Sequence, residues 1–145
     1  MLENKIYFSS KIASTSTETP NGKLFVLTAA LVCIPDSPNT DDMRDSSSLK
    51  MIPWLSKKGA IIKYFDPTGY KNEFSKLKNV TNKTTIKDAI QNSDLVILHT
   101  EWNDFKSINF KNLAKGKKFI IFDMRNLYSS SKMKEQGFKY FSVGK

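Results

Sequence analysis

Two arginines are the side chains of this sequence best suited to meet an anion. Arg44 stands in TDDMRD among Asp41, Asp42 and Asp45, and Arg125 stands in FDMRN. A guanidinium presents a planar fork of donors that matches carboxylate and phosphate. Acids beside it either hold it in an ion pair or aim it at an incoming anion. Asp41, Asp42 and Asp45 also invite a metal reading, but nothing else in the sequence supplies a matched ligand set. His99, the single histidine, has two readings at the end of an apolar run: a general base, or a packed or solvent-facing ring, and the second is expected. Cys33, the single cysteine, follows apolar residues and reads as a small buried hydrophobe rather than a nucleophile. Trp102 either caps the core or offers a stacking face for a base, with core capping expected. No GxGxxG fingerprint and no phosphate-binding P-loop occurs. The residues therefore offer an anion site without a catalytic set.

The elements that must position these residues follow from the apolar patterning. KLFVLTAALVCI, AIIKYF, DLVILHT and KFIIFDM are short apolar runs of the kind found in strands buried on both faces, and KYFSV is a last strand. NVTNKT is a weak strand or loop. SSSLKMIPWLSKKGA predicts a helix entered through a serine run and stopped at Gly59, with Pro53 either near its first turn or kinking it. EFSKL predicts a short helix, and INFKNLAKG a short helix or turn. TIKDAIQNS predicts one capped by Thr84 or Thr85, and SSKMKEQG one stopped at Gly137. Strands alternating with helices imply crossovers and a mainly parallel sheet covered on both faces, an α/β domain. In such sheets ligands sit beyond the carboxyl ends of the strands, which gives weight to PNTDDMR, DPTGY, HTEWNDF and DMRN.

The 145 residues suffice for one core. The first 22, ending in ASTSTETPNG, read as a linker or tail, with NKIYFSSKI a short helix at most. The net charge of +9 raises the question of nucleic acid, but the lysines are scattered over polar faces and turns, and a nucleic-acid site draws more on arginine. No nucleic-acid partner is expected. The longest apolar run is too short for a bilayer, so no membrane partner is expected either. A single cysteine makes a reducing cytoplasm the expected compartment.

Taken in order, PNTDDMRDSSSL, IPWLSKKGA, YFDP, TEWNDF, FDMRN and GFKY resemble the C-terminal domain of the UDP-glucose/GDP-mannose dehydrogenase family, on its UDP-glucose 6-dehydrogenase branch. The resemblance runs from about Gly22 to the end. It implies a Rossmann-like three-layer fold for residues 23–145 that binds the UDP part of a UDP-sugar. It makes residues 1–22 a linker or the remnant of a central helix. It implies that NAD is the cofactor, held mainly by a domain absent here, and that UDP-glucose is the ligand. A separate chain would carry the NAD-binding and central domains. By the same resemblance Arg44 contacts NAD, Arg125 contacts the substrate's UDP, and Asp41 and Asp42 orient Arg44. No catalytic residue and no metal ligand is carried over, and Cys33 does not inherit the family's cysteine role. Two departures fall in the substrate site. The interval TAALVCIPDSP is longer than the family's and puts Asp36 and Ser37 near the place of a substrate-gripping lysine. Met124 replaces a glycine, where a side chain would crowd the ligand or change the backbone angle. The alternative is thus a non-catalytic remnant or an interaction module that docks on a full-length homologue.

Overall fold

The computed structural model describes residues 28–32, 42–44, 46–116 and 119–143. The expectations for NKIYFSSKI, Cys33, Asp36, Ser37, Asp41 and Asp45 fall outside these residues. Among those described, six strands form one sheet: β1 Thr28–Val32, β2 Ile61–Phe65, β3 Val80–Lys83, β4 Leu95–Leu98, β5 Ile120–Asp123 and β6 Lys139–Ser142. Their order is β3-β2-β1-β4-β5-β6, and every pairing is parallel. The expected mainly parallel sheet is parallel throughout. Four α-helices connect it: α1 Ser48–Lys57, α2 Ile86–Ile90, α3 Phe110–Ala114 and α4 Ser130–Glu135.

Why the strands are apolar on both faces is visible in the two halves of the core. Successive side chains of a strand point to opposite faces. Ala29 and Leu31 of β1 and Leu95 and Ile97 of β4 therefore face one cluster, with Met51, Ile52 and Leu55 of α1. Ala30, Val32, Val96 and Leu98 face the other, with Ile90 of α2, Phe110 of α3 and Met133 of α4. The sheet grows outward in opposite directions from β1 and β4. Crossovers of one hand then place α1 on one face and the later helices on the other.

α1 fills one face because its apolar residues recur at helical spacing, Met51, Ile52 and Leu55 being buried. Burying each of these contributes about 1.5–3 kcal/mol. Pro53 lies inside α1 rather than in its first turn. There it removes one backbone donor, and the buried residues on either side hold the helix together across the gap. Gly59 stops the helix as expected, with φ at 94°. α2 is capped by Thr85, whose side chain accepts from the Asp88 N–H. EFSKL forms a single 3-10 turn, Asn72–Phe74, rather than an α-helix; it is long enough only to seat Phe74 edge-on against Tyr64, ring centroids 5.7 Å apart. No helix among the described residues is long and apolar enough to cross a membrane.

Candidate functional site

The topological reversal between β1 and β4 opens the edge of the sheet at Val32 and Leu98, which are register partners. His99 follows directly and meets three elements. Its backbone N–H donates to Val32 O at 3.2 Å, extending the ladder to β1. Its carbonyl accepts from Nε of Arg125 at 3.1 Å, in the loop after β5. Its ring Nε2 lies 2.6 Å from Oγ of Ser47, at the entry to α1. His99 is 1% exposed, so the packed reading holds, and the imidazole is a polar junction as well as packing.

The serine run before α1 is part of this junction. Ser46 and Ser48 are buried and share a 2.7 Å hydrogen bond between their hydroxyls. Ser47 occupies the N-cap position, yet its side chain makes no cap hydrogen bond. Its hydroxyl reaches His99, 52 positions along the chain. N-cap preference made the serines legible as a helix start, but not as a tertiary contact.

Arg125 is set by its own loop as well. Asp123 ends β5 with its side chain fully buried. Its Oδ1 accepts from the Arg125 N–H at 3.0 Å. Its Oδ2 accepts from the Leu127 N–H at 2.7 Å, the Tyr128 N–H at 3.1 Å and the Tyr140 hydroxyl at 2.5 Å. A carboxylate that collects backbone donors in this way folds the loop around itself. Burial, then the Asp123 carboxylate, pushes the Tyr140 hydroxyl well above its ordinary range. Burial pushes Tyr128 up to about 12, and its hydroxyl donates to Phe105 O. Asp123 is a site residue the sequence reading missed; an acid at a strand end before a turn is the signal that could have found it.

Met124 stands where the resembled pattern has a glycine. Its side chain packs against the first core cluster, and its N–H donates to Leu98 O at 3.0 Å. The left-handed residue of this loop is Asn126, φ 56°, a type that tolerates that region.

Arg44 lies apart in character. Its side chain is 88% exposed and that of its partner Asp42 41%. The guanidinium grips the carboxylate at two points: Nε to Oδ1 at 3.0 Å and Nη2 to Oδ2 at 2.7 Å. The Arg44 N–H adds a third bond to Oδ1 at 3.0 Å. These bonds hold the Asp42 carboxyl down at about 2. The HTEWNDF segment contributes Glu101, paired with Lys106 at 2.8 Å; that bond, with a smaller pull from Arg125, lowers its carboxyl. Trp102 packs against the second core cluster, with its indole nitrogen buried and without a hydrogen-bond partner among the described residues. The core-capping reading holds.

A dinucleotide in the chain's own fold would need an acid at the end of β2 for its ribose. Asp66 stands there, but it is buried and committed. It accepts from the Thr68 N–H at 2.7 Å and sits 3.6 Å from Nζ of the buried Lys71. These residues do not fit a resident NAD. Among the described residues no group of three or more His, Cys, Asp or Glu could hold a metal ion.

A parallel sheet in this order with helices on both faces defines a Rossmann-like α/β domain, and its candidate site is a polar junction at the topological switch point. The chain belongs to the UDP-glucose/GDP-mannose dehydrogenase family: the profile of that family's UDP binding domain matches residues 37–130. The UDP-glucose 6-dehydrogenase of Rickettsia prowazekii (strain Madrid E) is 32% identical over 146 residues, covering 97% of this chain and 33% of the relative. That of Rhizobium meliloti (strain 1021) is 31% identical over 117 residues, covering 80% of this chain and 27% of the relative. The chain thus spans about a third of the length of these curated relatives. Among solved structures, an NDP-N-acetyl-D-galactosaminuronic acid dehydrogenase from Methanosarcina mazei Go1 superposes with a TM-score of 0.71 at 19% identity. The match covers 83% of this chain and 25% of that one, a likeness of fold.

Proposed function

We propose that this chain is the UDP-sugar-binding C-terminal part of an NAD-dependent UDP-glucose 6-dehydrogenase, converting UDP-glucose to UDP-glucuronate only together with NAD-binding and central domains. Residues 23–145 form the UDP-binding unit and residues 1–22 its lead-in. Arg125 meets the diphosphate of UDP-glucose. Arg44, oriented by Asp42 and Asp41, faces NAD brought by the other domains: its guanidinium is held at the surface, where an anion from outside the fold can reach it. NAD would supply the hydride acceptor; this chain's residues bind and orient and carry no proton or nucleophile in the reaction.

The observation that carries the reading is Arg125, whose guanidinium is fixed by the His99 carbonyl at the switch point of a family-matched parallel sheet. A charge-assisted contact to phosphate is worth about 1.5–3 kcal/mol. In a calorimetric titration, UDP-glucose and UDP should therefore both bind saturably, and Arg125→Ala should weaken both at least about tenfold. Unchanged affinity in the variant overturns the assignment. Absence of binding to the folded wild-type chain favours a non-catalytic remnant.

A further inference from the structure

We infer that His99 and Ser47 form a positioning pair that sets Arg125 relative to the entry of α1. The inference concerns the site proposed for UDP and deepens that reading. Three observations meet in one residue. The His99 ring is buried and lies 2.6 Å from Ser47 Oγ. The His99 carbonyl accepts from Arg125 Nε. Ser47 holds the N-cap position without capping its own helix. An N-cap serine ordinarily stabilises its helix through a backbone N–H of the first turn. Here that hydroxyl is directed instead at a residue at the end of β4. The entry to α1 carries the Arg44 turn, only three residues before Ser47. The far side of His99 carries Arg125. The pair therefore fixes the spacing between the two arginine-bearing segments, and neither His99 nor Ser47 needs to touch a ligand to do so.

The pair also explains why a buried imidazole is tolerated. Its Nε2 has the Ser47 hydroxyl, and Nδ1 lies 3.4 Å from Thr100 Oγ1. A buried polar ring is costly only when its nitrogens lack partners. Replacing either member removes the bond that joins the entry of α1 to the end of β4.

The sequence offers a clean readout, because His99 is its one histidine and Arg44 and Arg125 its two arginines. In nitrogen-15 spectra of the full chain, Ser47→Ala should shift the His99 ring signals and the Arg125 Nε–H signal together. Ser47→Thr, which keeps the hydroxyl, should return both towards wild type. His99→Gln, with an amide in reach of Ser47, should disturb Arg125 less than His99→Leu, and these two decide the matter if Ser47→Ala does not fold. UDP affinity should fall roughly three- to tenfold in Ser47→Ala and recover in Ser47→Thr. An Arg125 signal at its wild-type position in Ser47→Ala overturns the inference. If wild-type chain binds no UDP, the functional reading fails, while the Arg125 signal still decides this one.

Discussion

Both arginines are exposed, but they are held in different ways. Arg125 rises from a loop wrapped on the buried Asp123 carboxylate and has its Nε on a backbone carbonyl. Arg44 lies on the surface, gripped by a carboxylate two residues away in its own turn. The first is placed by tertiary structure, at the cost of a buried charge satisfied by several donors. The second is placed by local sequence and keeps its hydration. A rigid guanidinium suits a ligand that must be held in one register against the sheet. One gripped only by a carboxylate of its own turn suits an anion that arrives from elsewhere, because exchanging one carboxylate for another anion in water changes little free energy.

The comparison breaks most sharply at Asp123. Asp123→Ala strands three backbone N–H groups and leaves the Tyr140 hydroxyl to the Tyr128 carbonyl alone, so unfolding in urea should show a loss of about 3 kcal/mol or more. A loss below about 1 kcal/mol would mean that the loop is not organised by this carboxylate.

A smaller effect appears in alkali. Tyr128 and Tyr140 are both raised above the ordinary tyrosine value of 10.0, Tyr128 to about 12 and Tyr140 further. A group whose folded pKa is raised lends stability that is fully present below its unfolded pKa and is lost as pH rises through the folded one. Stability should therefore hold up to about pH 10 and decline as pH climbs through about 12. Ultraviolet titration of the five tyrosines should show late-ionising groups, and Tyr140→Phe should remove one of them. If all five ionise together near pH 10 while the chain is still folded, the buried network is wrong.

The smallest effect belongs to the exposed pair. Arg44→Ala should leave the unfolding midpoint unchanged within error, since exposed ion pairs contribute little. Asp42 is held down at about 2 from 3.8. A depressed carboxylate pKa means that the pair is intact above 3.8 and lost as pH falls through about 2. Carbon-13 titration of the Asp42 carboxyl should give that low value, and Arg44→Ala should return it to the ordinary range. A low value that persists in the variant would assign the effect to another neighbour.

The sequence was most legible where physics is local. Short continuous apolar runs marked the strands, Gly59 and Gly137 marked helix ends, and Thr85 marked a cap. TDDMRD announced a held arginine because Asp42 and Arg44 are two residues apart, and such a pair needs no fold to meet. EFSKL announced a short helix but not its kind, because a stretch this short lets a single buried anchor, Phe74, decide between an α-turn and a 3-10 turn.

By itself, then, the sequence determined the parallel α/β architecture, the strand ends where polar residues gather, and the Asp42–Arg44 pair. These depend on periodicity and short spacing. The tertiary structure alone decided that Ser47 would serve His99 rather than its own helix, that Asp123 would collect donors from its loop and from Tyr140, and that Met124 would turn into the core. Each of those choices joins residues far apart in the chain or weighs a side chain's burial against its local preference. Only the assembled sheet, by excluding water from the switch point, makes the distant partner the better one.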